Sequence, residues 1–241
     1  MQTAEVGLWL MNRLSAYELR YSEDQPRDDH GRFGEGSGGD SGGGLTGNAA
    51  LNAAPLGLVD NTVNPVSGKI TSKPGPGMTP EEAKALSSYR ERGFVKVNGD
   101  LRKNDGEPTK PDTQKAVATI DAAMSRSQLT SGVSVERGIS NGPAMFGDRW
   151  QGDLTGTTFV EHGYTSTTTD HNIASEFADR IPGVSDGGLA RISVPSGTSA
   201  IKLSDRGPFQ EAELLLDRGL TYEVVSDTGP GSGRQIEMRV K

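Results

Sequence analysis

Three short runs of the sequence collect side chains able to hold an anion, fix a hydroxylated ligand and stabilise a cation. Arg137 closes a strand-like run at 133–136 and directly precedes Gly138. A guanidinium there presents its fork to phosphate or carboxylate, and glycine lets the backbone come close to a ligand. Taken alone, a strand-end arginine is more often a surface ion-pair partner. The second run is Gly163-Tyr164-Thr165-Ser166-Thr167-Thr168-Thr169-Asp170. Alternation puts Ser166 and Thr168 on one face and Thr165 and Thr167 on the other, where hydroxyls can hold a carboxylate or a ligand amide. The plainer account is that threonines favour strands and Asp170 caps the helix that follows. The third run is Phe209-Gln210-Glu211-Ala212-Glu213, leading into Leu214-Leu215-Leu216. Period two puts Glu211 and Glu213 on one face, beside a buried hydrophobic run. A solvated strand end would explain the pair, but paired acids can also divide labour. One stabilises a positively charged, sugar-like transition state while the other orients or deprotonates the nucleophile.

The elements that must position these runs read as follows. Thr79-Pro80-Glu81-Glu82 is a helix start, with a capping Thr, Pro at the first helical position and Glu three residues after the cap. Ala85, Leu86 and Tyr89 fall on one face of that helix, which is expected to end near Gly93. A second helix is predicted over 112–126, with Val117, Ile120 and Met124 in one stripe. After Gly132 the pattern changes to short strands at 133–136, 157–160, 164–168, 189–194, 200–203, 212–216, 220–225 and 236–240. One helix interrupts them, capped by Asp170 and carrying Ile173, Ala174 and Phe177. Helices first and strands later predict an α+β domain over residues 79–241. Residues 1–22 carry Leu8, Trp9, Met11, Leu14, Tyr17 and Leu19 at helical spacing, which suits a docking helix or an accessory one equally. Residues 23–78 read as a disordered, Gly- and Pro-rich linker. Their composition buries too little apolar surface to offset ordering entropy.

Composition narrows the chemistry. The 241 residues are 32% hydrophobic and 5% aromatic, with a net charge of -7, which disfavours bulk nucleic-acid binding and attraction to anionic membranes. There is no cysteine, so disulfides, thiolate nucleophiles and Cys-ligated metals are excluded, and with only His30, His162 and His171 no metal site is expected. His162 and His171 read as ordinary loop or helix-start residues. The early apolar stretch at 6–11 is interrupted by Gly7 and lacks the charged lead and long core of a signal peptide, so export by that route is not expected.

In this order the three runs resemble the mono-ADP-ribosyltransferases of the arginine, serine, glutamate toxin class, whose ADP-ribosyltransferase exoenzyme domains include the binary actin-modifying toxins. Arg137-Gly138 is similar to the family's first-strand Arg, Ser166-Thr167-Thr168 to its Ser-Thr-Ser strand, and Glu211-Ala212-Glu213 to its Glu-x-Glu motif. Thr168 departs from the last serine but keeps a hydroxyl. Tyr89 with the segment Asn98-Gly-Asp-Leu101-Arg102 resembles the toxins' helical lead, and Phe177 and Arg180 fall where the family's nicotinamide-side loop carries Phe-x-x-Arg.

The resemblance implies an ADP-ribosyltransferase-like fold, a helical lead followed by two packed, mostly antiparallel sheets. It implies NAD as co-substrate, no metal, and a target protein with an exposed arginine. Arg137, helped by Arg102 and Arg180, would neutralise the pyrophosphate. Gly138, Thr167, Asn98, Tyr89 and Phe177 would line the NAD site. Ser166 would fix the nicotinamide ribose and Glu213, and Glu213 would bond the ribose hydroxyl and stabilise the oxocarbenium ion. Glu211 would activate the target guanidinium, and Phe209 would touch the target. Glu at the first motif position accompanies arginine acceptors in this family. Water as acceptor would make the same fold an NAD glycohydrolase, and a non-catalytic virion or interaction protein is a third reading.

A separate resemblance lies in front. Gln25-Pro26-Arg27-Asp28-Asp29-His30-Gly31-Arg32-Phe33 is similar to a segment of tailed-phage head proteins. It implies that residues 1–35 meet phage head proteins in a virion, from which the chain would enter the host cytoplasm.

Overall fold

Pro80–Ser88 (α2) forms where the reciprocal cap predicts it in the computed structural model, which describes residues 44–63, 70–178, 187–203, 212–231 and 233–241. The Glu82 amide donates to Thr79 Oγ1 at 3.2 Å and the Thr79 amide to Glu82 Oε2 at 2.9 Å. A π-helical turn, Tyr89–Gly93, leads from α2 into Phe94–Lys103 (α3). Pro111–Met124 (α4) follows, its entry fixed by Asp100, which accepts from the amides of Thr109 and Lys110. Arg126, just past α4, bonds both oxygens of Glu82 at 2.9 Å and so ties α4 to α2.

The strands are Leu58–Val63 (β1), Ile70–Pro74 (β2), Val133–Ile139 (β3), Thr158–Glu161 (β4), Thr165–Thr168 (β5), Gly188–Val194 (β6), Ala200–Lys202 (β7), Glu213–Leu216 (β8), Leu220–Asp227 (β9) and Arg234–Val240 (β10). β1 and β2 form an antiparallel hairpin, and the rest make one sheet in the order β4-β9-β10-β6-β3-β5-β8-β7. Among these strands only β10 and β6 pair in parallel. β3 and β5 meet at the single pair Glu136 and Thr168, so the large sheet divides there into two parts.

One apolar cluster joins inward residues of both parts, including Val135, Ile192 and Met238 from one and Leu214 and Leu216 from the other. A second packs Leu215 and Ile201 under α2, α3 and α4 through Leu86, Leu101 and Ile120. β8 is therefore buried on both faces, as its leucine run requires.

Between β3 and β4 lie Gly142–Phe146 (α5) and a 3₁₀ turn, Gly147–Gln151. His171–Ala178 (α6) follows β5, with Asp170 Oδ1 accepting from the Asn172 amide at 2.9 Å.

Two expectations change. The folded body does not begin at Thr79: Gly47–Asn52 (α1) buries Ala50 and Leu51 in the first cluster, and Leu56 and Leu58 join the second. The glycines read there as linker permit close packing instead. A Cβ on Gly75 would lie 2.4 Å from Gly57 O, and one on Gly57 would lie 2.8 Å from Lys202 O. The segment 94–103, which is not among the helices expected from spacing, is a helix whose Phe94, Val97 and Leu101 share one face in the second cluster while its polar Asn98 and Asp100 find tertiary partners. The helix expected over 1–22 and the segment 25–33 lie outside the described residues.

Candidate active site

Glu213 opens β8 and is buried at 8% exposure. It faces Thr168 across the β5–β8 ladder, and Ser166 faces Leu215. Cross-strand partners share a face, so Ser166 and Glu213 are diagonal neighbours on the same side of the sheet. Ser166 is exposed, while Thr165 and Thr167 point the other way and are buried. The alternation expected from the sequence is thus observed: the exposed hydroxyl lies beside the buried carboxylate.

Arg137, expected at a strand end, lies inside β3, which runs on through Gly138 to Ile139, and is opposite Ala190 of β6. Its Nη1 is buried and has no hydrogen-bond partner among the described residues. A buried guanidinium N–H carries a desolvation penalty until it meets an acceptor, so this donor suits an incoming anion such as a pyrophosphate. Arg90, in the π turn, is buried at 4% exposure, with its Nε 3.4 Å from Glu213 Oε2. Arg90 and Glu213 thus form an ion pair in a shielded place, where fixed charges act more strongly than in water.

Tyr89 lies within electrostatic reach of Glu213, Arg137 and Arg102. Burial pushes its phenol well above the usual range, the Asn98 hydrogen bond opposes that, Glu213 adds to it, and Arg137 and Arg102 counter it. All three charged groups therefore act on one ring. Tyr89 itself is a core residue, edge-on to Tyr164 with centroids 5.6 Å apart.

Several residues expected to line the NAD site have other tasks here. Asn98 Nδ2 donates to Tyr89 Oη and to the Tyr164 carbonyl, both at 3.0 Å, and its Oδ1 accepts from the Tyr164 amide at 3.1 Å. It fixes the chain just before β5. Arg102 makes a two-pronged contact with buried Glu161, at 2.8 and 3.0 Å, which braces the turn between β4 and β5. Thr167 donates to the Leu214 carbonyl at 2.6 Å and holds β5 to β8. Gly138 permits the approach of a helix rather than a ligand: a Cβ there would lie 2.2 Å from Ala174 O and 2.5 Å from Phe177 Cβ, both on α6. Phe177 is half-buried on that helix. Arg180, Phe209 and Glu211 lie outside the described residues.

Two features were not singled out in the sequence. Arg90 is one; its signal is a charged residue on the apolar stripe of Ala83 and Leu86. The other is Glu136, next to Arg137, which Arg191 contacts at 3.2 Å and His171 Nδ1 at 2.8 Å. His171 is the first residue of α6, as a helix-start reading expects, and it pins that helix to β3.

Comparison with known proteins shows the family and the fold. The family model described as ADP-ribosyltransferase exoenzyme matches residues 60–237. Over 150 residues, 61% of this chain, the sequence is 27% identical to an NAD(+)-arginine ADP-ribosyltransferase, EFV, of Enterococcus faecalis, and it spans 29% of that relative's length. Among solved structures, Plx2a, an ADP-ribosyltransferase toxin from Paenibacillus larvae, is similar at a TM-score of 0.53 and 24% identity, over 68% of this chain and 87% of that one. A C3-type ADP-ribosyltransferase from Clostridium botulinum gives 0.56 and 19%, over 68% and 88%. C3stau2 from S. aureus, solved with NAD, gives 0.54 and 20% over the same shares. With the family match running over residues 60–237, most of its length, the chain belongs to the ADP-ribosyltransferase exoenzyme family.

Proposed function

We propose that this chain breaks the bond between nicotinamide and ribose in NAD and transfers ADP-ribose to an arginine side chain of a target protein. The observation that carries this reading is the buried Glu213 carboxylate beside the exposed Ser166 hydroxyl, with the buried Arg137 Nη1 awaiting an acceptor. In the reaction the electron pair of the glycosidic bond leaves with nicotinamide. Glu213 stabilises the resulting cation and Ser166 orients that carboxylate. Arg137 binds the pyrophosphate by charge-assisted hydrogen bonds. Glu211 takes a proton from the target guanidinium, whose nitrogen then bonds the ribose carbon. Phe209 meets the target surface. The Enterococcus relative, named as an arginine ADP-ribosyltransferase, supports the choice of acceptor. Passage through a phage head by way of residues 1–35 is a separate proposal, resting on residues 25–33 alone.

The test is incubation of the full chain with adenylate-labelled NAD and agmatine or a bacterial lysate. The expected result is a labelled product and free nicotinamide, with Glu213→Gln lowering both by about 10²-fold or more. Glu211→Gln is expected to lose transfer and keep nicotinamide release. Release without any labelled product from the wild type would assign a glycohydrolase instead. A wild type inert in both measurements would refute the reading.

A further inference from the structure

Arg90 carries the strongest unassigned signal. The inner face of α2 and its π turn reads Glu82, Ala83, Leu86, Tyr89 and Arg90. Glu82 is accounted for by the Thr79 cap and by Arg126. Arg90 lies beyond that cap, and its side chain is 2% exposed. A guanidinium so far from water is tolerated only with an anion beside it. The carboxylate beside it is Glu213, whose side chain is 10% exposed and which needs a cation for the same reason. The π turn gives the pair its geometry. Wide turns of this kind set local direction within a helix, and here the two adjacent residues Tyr89 and Arg90 are both buried. Tyr89 meets Tyr164 just ahead of β5, while Arg90 meets Glu213 at the start of β8.

We propose that Arg90 is a positioning residue for catalysis: its guanidinium holds the Glu213 carboxylate turned toward the Ser166 side of the sheet. This rests on the transferase reading, because it gives the pair a catalytic purpose. Arg137 and Arg90 then have separate duties. Arg137, on β3, offers a buried donor to the incoming anion, and Arg90, from the helical side, orients the carboxylate that faces the developing cation. The contact is an ion pair at 3.4 Å with no hydrogen bond between its two atoms, and a lysine would keep the charge at position 90 but place it on a compact ammonium rather than a planar guanidinium, shifting it relative to the carboxylate.

Two measurements test this. The first needs no activity: NAD-free urea and thermal melts of wild type, Arg90→Met, Glu213→Gln and the double variant. Arg90→Met is expected to lower the midpoint clearly in the wild-type background, where it strands the buried Glu213 carboxylate, and much less in the Glu213→Gln background, where it removes the remaining charge of the pair. The second is nicotinamide release by Arg90→Lys, expected to show a kcat at least tenfold lower with KM for NAD within threefold of wild type. Additive losses in the cycle, or an Arg90→Lys enzyme with wild-type kcat, would overturn the proposal. If Arg90→Met fails to fold while the double variant folds, the coupling is supported. If the wild type releases no nicotinamide, the transferase reading falls with the catalytic role, and the cycle still reports whether Arg90 and Glu213 are partners.

Discussion

The contact between α6 and β3 leaves no room for a methyl group at position 138, and the cost of adding one can be worked from the structure. A Cβ on Gly138 would sit 2.2 Å from Ala174 O, 2.5 Å from Ala178 N and 2.5 Å from Phe177 Cβ. Comfortable carbon contacts are about 3.5–4.0 Å, so α6 would have to retreat by roughly 1 Å or more. Two of the three atoms are helix backbone, which a rotamer change cannot move aside. Overpacking of this kind costs about 1–3 kcal/mol, and the backbone clash places Gly138→Ala toward the upper end. For a body of this size that corresponds to a melting temperature lower by roughly 4–12 °C. Gly99→Ala is the control. Gly99 lies inside α3, is exposed, and has nothing within 4 Å of an added Cβ. Relief of glycine's entropy there should raise stability by about 0.5–1 kcal/mol. Because α6 carries Phe177 and leaves directly from the Ser166 strand, Gly138→Ala should also raise the KM for NAD. Melts followed by circular dichroism, with nicotinamide release alongside, read both effects. A Gly138→Ala protein with wild-type melting temperature and KM would refute the packing argument.

Arg102→Lys should cost about 1–2 kcal/mol in urea denaturation, because one ammonium cannot replace a two-pronged grip on buried Glu161, and the figure is kept low by Arg102's 44% exposure. Glu161→Gln should cost a similar amount, and the double variant less than the sum; no loss in either single variant would remove Arg102 from the bracing role. At Asp217, burial pushes the carboxyl up, the Arg218 amide opposes this and the charge of Asp121 adds to it. A carboxyl whose native value is raised weakens the fold once ionised, so Asp217→Asn should stabilise at pH 7 and lose that advantage as pH falls through the raised native value. Melts across that range check the sign, and an advantage that grows on acidification would contradict it.

The legible parts of this fold are those whose cause is local. Thr79 and Glu82 satisfy each other's backbone within one turn, and the structure places the helix start where they do. Leu214, Leu215 and Leu216 form an unbroken apolar run, and β8 is buried on both faces. What was not legible depends on distant partners. Asn98, Gly99 and Asp100 are poor helix formers, and Val95 and Val97 are β-branched. Yet α3 forms because Phe94, Val97 and Leu101 pack as one face, Asn98 reaches Tyr164, and Asp100 organises Thr109 and Lys110. The Gly- and Ala-rich stretch around α1 offers no periodicity, and it folds because Ala50 and Leu51 fill a gap against β3 and its neighbours.

The same division runs through the site. Ser166 presents an exposed hydroxyl as the strand alternation suggests, whereas Arg137 presents its buried N–H from inside β3 rather than from a strand end. Asn98, Tyr89, Arg102, Thr167 and Gly138 match the motifs equally well, but their described partners are other parts of the chain. A motif match therefore identifies a residue that the site requires without saying whether it touches the ligand or holds what does. Arg90 shows the converse. It belongs to none of the matched motifs, yet it contacts the carboxylate on which the chemistry would turn. Side-chain partners separate these classes, because the chemistry at Glu213 depends on what fixes its carboxylate as much as on the carboxylate itself.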